Sequence, residues 1–146
     1  MPIANYSTTV DALKTVGEIQ GILVAHGARS ILMNYGKDGS IESLSFIVET
    51  PYGDMPIRLP IDARAVLKVL EEERVPPRYA NYPQAVRIAW RIVKDWVRAQ
   101  MAILETEMVK MEQIFLPYMI TKNNQTLYES MVDRGFYLTE GRKDES

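Results

Sequence analysis

Residues 83–112 carry two parallel rows of side chains, and together they restrict the fold more than any other stretch of the chain. The apolar row is Val86, Trp90, Val93, Val97, Met101, Leu104, Met108 and Met111; the basic row is Arg87, Arg91, Lys94 and Arg98. Both advance by threes and fours, the spacing that keeps side chains on one face of a helix. The rows therefore predict one long helix over 83–112, whose apolar row alone runs for about 37 Å at 1.5 Å per residue. The basic row occupies only the first half. It lies near the helix N-terminus, where the macrodipole disfavours cations by a few tenths of a kcal/mol to about 1 kcal/mol each. Glu105, Glu107 and Glu112 lie in the second half, the reverse of what solubility alone would select. That reversal points to an anionic partner without naming a reaction.

Each row admits a structural and a functional use. The apolar row is either the core face of a helix laid on a sheet or, in its methionine-rich second half, the seam of a homo-oligomer of antiparallel long helices. The length favours an oligomer. In the basic row, Arg87 and Arg91 either pair with Glu71–Glu73 across the Pro76-Pro77 break or hold a ligand. Between Arg74 and Arg98 the chain has six basic residues and one acid, Asp95, with Tyr79 and Tyr82 just ahead of the helix. Arginine forks beside aromatic rings suit a ligand bearing phosphate and a base, since guanidinium clamps phosphate and the ring stacks. The candidate binding residues are thus Arg87, Arg91, Lys94 and Arg98, joined by Arg78, Tyr79 and Tyr82.

The remaining elements follow from turn chemistry and periodicity. Residues 3–9 are β-prone and predict a short first strand. Thr15 and Glu18 have capping-box spacing ahead of a helix with Val16, Ile19, Ile22 and Leu23 on one face, ending at Gly27. Ser30–Tyr35 and Ile41–Thr50 flank Asp38-Gly39, a strong hairpin signal. Leu44, Phe46 and Val48 define the buried face of the second strand. A third strand over 55–60 contains Pro56 and Pro60 and belongs at an edge. Asp62 caps a helix bearing Ala63, Val66, Leu67 and Leu70, which Pro76-Pro77 separates from the long helix, with Pro83 at its first position. Pro117 ends the long helix, and Thr126 with Glu129 repeats the capping box before a last short helix. The expected fold is α+β: a small N-terminal antiparallel sheet with one helix, then a helical half. One domain over 1–146 is expected, its sheet part at 1–61, its helical part at 62–138 and a frayed tail at 139–146.

Composition closes several routes. The 146 residues have no cysteine, one histidine and a net charge of −2, which excludes disulfides, thiol nucleophiles and thiolate metal sites and confines any anion site to a local patch. His26 precedes Gly27, where a cation suits a helix C-terminus. No P-loop, G-x-G-x-x-G or G-x-S-x-G is present, and Ser43 and Ser45 lie in a strand without a base, so no catalytic residue, metal or cofactor is expected. There is no apolar run of 18 residues, hence no spanning helix. The opening Met-Pro-Ile-Ala-Asn lacks the basic flank and apolar stretch of a signal peptide, so a cytoplasmic protein is expected.

The pieces Thr15–Gln20, Thr50-Pro51-Tyr52-Gly53 with Ile57–Pro60, Ala89–Trp96 and Phe115–Tyr118 resemble a family of small proteins from tailed-phage and prophage genomes. The likeness covers most of residues 1–130 and implies a phage accessory protein, with no assigned activity. The layout of a small sheet followed by long helices, with Arg87-x-x-x-Arg91, is also similar to phage anti-Thoeris sponge proteins. Those are oligomers that sequester cyclic ADP-ribose-type signals without hydrolysing them. The resulting expectation is a non-enzymatic, anti-defence nucleotide binder that acts in the host cytoplasm. The alternative is a nucleic-acid-binding accessory protein of phage replication or recombination.

Overall fold

The computed structural model describes residues 2–135; the expected frayed tail lies outside them. Helix α1 (Ala12–Ala25) is followed by strands β1 (Ala28–Tyr35), β2 (Ile41–Thr50) and β3 (Gly53–Arg58). Then come α2 (Ala63–Glu72), the long α3 (Tyr82–Glu105), the short α4 (Met111–Phe115) leading into a 3-10 turn at Leu116–Tyr118, and α5 (Leu127–Asp133). The three strands form one antiparallel sheet in the order β1-β2-β3. This is the α+β arrangement of sheet and helical half that the sequence predicts.

The sheet is built as its turn residues dictate. Asp38 Oδ1 accepts hydrogen bonds from Ser40 N (3.0 Å) and Ser40 Oγ (2.7 Å), and Gly39 takes φ +84°, so the hairpin closes where the sequence placed it. Leu44, Phe46 and Val48 of β2 are buried. Pro56 lies on edge strand β3 opposite Ile47. That edge is partly closed by the chain's own later segment, with Ile57 bridged to Met119 and Ile120 N donating to Pro56 O at 2.8 Å.

Helix α3 is the central element, because it has two buried faces. Val86, Trp90, Val93, Val97 and Met101 enter the core formed with α1 and the sheet, while Ala85 and Ile88 join Leu70 and Val75 in a second cluster against α2. Trp90 is fully buried and its indole N–H donates to Ile41 O at 3.3 Å. From Val86 to Met101 the apolar row is therefore core, covered within one chain, whereas Met108 farther along it is exposed.

The helix also ends sooner than the row predicts. Thr106 caps it, Thr106 Oγ donates back to Ile103 O, and Glu107 turns left-handed at φ +61°. Met108 is 71% exposed and Met111 belongs to α4. The reason is Phe115, fully buried and edge-on to both Phe46 (5.5 Å between centroids) and Trp96 (5.8 Å). Ten more helical residues past Glu105 would carry Phe115 about 15 Å beyond the core; the turn brings it back. Phe115→Ala should cost about 3–5 kcal/mol in chemical denaturation, whereas Met108→Ala should change stability by less than about 0.5 kcal/mol. A large loss at Met108 would contradict this helix end.

Three further boundaries differ from the sequence reading. Residues 3–9 form turns and no strand: Asn5 adopts φ +66°, and the carbonyls of Tyr6 and Thr8 accept from Gln84 Nε2 at 3.0 and 2.9 Å. A side chain of α3 thus supplies the partners that a strand would have found in a ladder. Helix α1 begins at Ala12 with Asp11 in the N-cap position, and Thr15 is a buried residue within it, its hydroxyl donating to Asp11 O. In α3 the cap is Asn81, which accepts from Gln84 N at 3.0 Å, so Pro83 occupies the second helical position. The caps at Asp62 and Thr126 form where expected.

His26 joins the far ends of α1 and α3. Its Nδ1 lies 2.8 Å from Ile22 O and its Nε2 lies 3.1 Å from Glu105 Oε1. The Ile22 carbonyl, and then the Glu105 carboxylate, raise the imidazole pKa above its ordinary value. A raised folded-state pKa stabilises the protein below the unfolded-state pKa, and the gain is lost as pH rises through the folded value. The stability difference between wild type and His26→Gln should accordingly be larger near pH 5.5 than near pH 8.5 in urea titrations.

Candidate functional site

The basic row does not act as a unit. Lys94 is 5% exposed and its Nζ pairs with Glu18 Oε1 of α1 at 3.1 Å. The hydrogen bond from Lys94 lowers the pKa of the Glu18 carboxyl below its ordinary value. Arg91 Nε lies 3.8 Å from Asp95 Oδ1 and is buried without a hydrogen bond among the described residues. Arg98 is exposed farther along the helix. Of the two uses open to Arg87 and Arg91, pairing with Glu71–Glu73 is not the one formed; Glu73 instead accepts from Ile3 N at 2.8 Å. The physical cause is rotation around the helix axis. Lys94 lies on the flank next to the apolar face, so packing α1 on that face covers it.

Arg87 is different. Its Nε and Nη2 both donate to Gln84 Oε1, at 2.9 and 2.6 Å. Gln84 is 3% exposed and is itself fixed through its amide donors to the Tyr6 and Thr8 carbonyls. A guanidinium has five N–H donors; two of Arg87's are spent on Gln84, leaving three. The head group is held rigidly by a buried amide that carries no charge to neutralise it. That is how an anion-binding arginine is preorganised.

The residues around Arg87 form a polar cleft of about 400 Å³, lined by Thr8, Thr9, Asp11, Arg78, Tyr79, Gln84 and Arg87. Arg78 stacks on Tyr79 with its guanidinium carbon 4.9 Å from the ring centre, and Tyr6 meets the same ring edge-on at 5.6 Å. Three of the expected binding residues, Arg78, Tyr79 and Arg87, are thereby gathered where the connector meets the long helix. Tyr82 faces away from this cleft, under Arg64 at 5.3 Å, and lines a neighbouring depression. Arg91, Lys94 and Arg98 do not line the cleft.

The sequence reading missed Thr8, Thr9, Asp11 and Gln84. Asp11 was detectable as an N-cap residue directly ahead of the apolar period of α1. Gln84 carried no signal, because a glutamine in a first helical turn is ordinary until its tertiary partners are known. Among the described residues, no group of three or more histidines or carboxylates is placed to hold a metal, and no helix is long and apolar enough to cross a membrane. No protein-family model, curated protein or solved structure matches the chain.

Removing the Gln84 side chain leaves two carbonyls and Arg87 without their shared partner. Gln84→Leu should cost about 1–3 kcal/mol and raise amide exchange across residues 3–8 above that of the sheet. Unchanged exchange there would show that Gln84 does not anchor the segment.

Proposed function

We propose that this protein binds a phosphate-containing nucleotide in the cleft between the N-terminal segment and the first turns of α3. The observation that carries the proposal is Arg87, fixed by buried Gln84 and facing a cleft shared with Arg78 and Tyr79. Arg87 and Arg78 hold phosphate, and the Arg78–Tyr79 stack forms one wall. The dipole of α3, whose first turn borders the cleft through Gln84, adds to the attraction for an anion. The protein sequesters its ligand and returns it unchanged. The phage setting rests on the likeness of segments 15–20, 50–53 with 57–60, 89–96 and 115–118 to small phage proteins, and the anti-defence, sponge-like role on the layout of a small sheet followed by long helices with Arg87-x-x-x-Arg91. If copies assemble, they do so through surfaces other than the covered apolar row of α3.

The competing proposal is a nucleic-acid-binding accessory protein, which requires several cations along one track. With Lys94 turned onto Glu18 and Arg91 beside Asp95, the row offers fewer phosphate contacts than its sequence suggests. Salt separates the two proposals. Four to six phosphate contacts give a log–log affinity slope of about −3 to −5, and one nucleotide in a cleft gives a much shallower one.

The test is a thermal-shift and calorimetric panel of cyclic and linear nucleotides, ADP-ribose derivatives and short oligonucleotides. A nucleotide at about 100 times its dissociation constant should stabilise the protein by near 2.7 kcal/mol and be recovered intact by chromatography. Arg87→Ala should weaken binding by about tenfold or more, while Lys94→Met should leave it unchanged. Normal binding by the Arg87 variant would place the site elsewhere.

A further inference from the structure

Arg87 borders a second depression as well as the polar cleft. This one has a volume of about 420 Å³, and it shares Asp11 and Arg87 with the first. Its other lining residues are different. Leu13, Tyr35, Tyr82 and Val86 form apolar walls, and the β-hairpin turn at Asp38–Ser40 closes one end. Leu13 and Tyr35 are 61% and 54% exposed, so a large apolar surface is left open beside a charged one. The size suits a small planar group, since ligand sites begin near 300 Å³.

Asp11 stands at the boundary of the two clefts. It occupies the N-cap position of α1, yet its carboxylate makes no capping bond and pairs with no cation among the described residues. A carboxylate left open in a site for phosphate is unfavourable toward the phosphate itself. It is useful only to a ligand that also brings hydrogen-bond donors. Arg78 thus lines only the first cleft, Arg87 and Asp11 line both, and Leu13 and Tyr35 line only the second; the matching order of ligand chemistry is phosphate, sugar hydroxyl, base.

Resting on the nucleotide reading above, we infer that the ligand straddles Arg87 and is specifically a ribonucleotide. Its phosphates lie on the Arg78–Arg87 side, its ribose hydroxyls donate to the Asp11 carboxylate, and its base enters the cleft between Leu13, Tyr35 and the hairpin turn. Asp38 is available there to accept from an exocyclic amino group. The hydrogen bonds that Asp38 receives from Ser40 N and Oγ lower its pKa, so it is present as the acceptor form.

Calorimetry on the full chain with the four ribonucleoside 5′-diphosphates, their 2′-deoxy forms and inorganic pyrophosphate tests this assignment. At least one ribonucleotide should bind about tenfold or more tightly than its deoxy form, the value of a hydrogen bond to a charged acceptor. Asp11→Ala should remove that preference and at the same time tighten pyrophosphate, because it deletes both the acceptor and a repelling charge. Tyr35→Ala should weaken the nucleotide and leave pyrophosphate unchanged. Equal affinity for ribo and deoxy forms, or a preference that survives in Asp11→Ala, overturns the assignment. If pyrophosphate binds as tightly as any nucleotide and Arg87→Ala abolishes both, the phosphate site stands and the straddling ligand falls. If no probe binds, the assignment fails, and if a nucleotide binds but Arg87→Ala changes nothing, the nucleotide reading of this cleft itself fails.

Discussion

Burial of helix α3 on two sides is the constraint from which the rest of this protein follows. One face, from Val86 through Trp90 and Val97 to Met101, fills the space over the sheet, and the other, at Ala85 and Ile88, meets α2. A helix enclosed in this way has few directions left for polar side chains. Those on its flanks must be paired where they are covered, as Lys94 is by Glu18, or anchored at the rim, as Arg87 is by Gln84. An unpaired charge under α1 would cost several kcal/mol, so the buried lysine needs its carboxylate. The candidate site exists because, at the N-terminal end of α3, the cover is an irregular segment of chain and not another helix.

That segment also explains why the cleft is polar. Residues 3–9 offer turns with open carbonyls, and a buried amide satisfies two of them. The same amide presents its oxygen to Arg87. One glutamine thus couples the fit of the N-terminal segment to the orientation of the guanidinium, and the fold and the site share a single hydrogen-bonded connection. Hydrogen bonds that an isolated surface arginine would exchange freely with water are fixed here before any ligand arrives, which reduces the ordering cost of binding.

Wherever local chemistry decides, the elements were legible in the chain. Asp38-Gly39 placed the hairpin, Leu44, Phe46 and Val48 chose the buried face of β2, Pro56 put β3 at an edge, and Asp62 and Thr126 capped their helices. The failures share one cause. The helix over 83–112 reads as continuous because methionines at 108 and 111 extend its period, but Phe115 gains more by returning to Phe46 and Trp96 than the helix gains by continuing. Residues 3–9 have strand propensity, yet a strand needs a ladder partner, and Gln84 provided another one. In both cases a long-range contact outweighed a weak local preference.

For the candidate site the division is sharper. The sequence by itself determined that cations and tyrosines gather around the start of the long helix, that thiol chemistry is absent, and that the fold is α+β. Only the tertiary structure decided which cations face a cleft. Periodicity fixes an angle around a helix axis, but whether that angle points to water or to α1 depends on a partner such as Glu18, distant in sequence and invisible to any local pattern. Tertiary packing kept Arg78, Tyr79 and Arg87 together, turned Lys94 inward, and added Asp11 and Gln84, because desolvation and hydrogen-bond pairing are settled by neighbours in space.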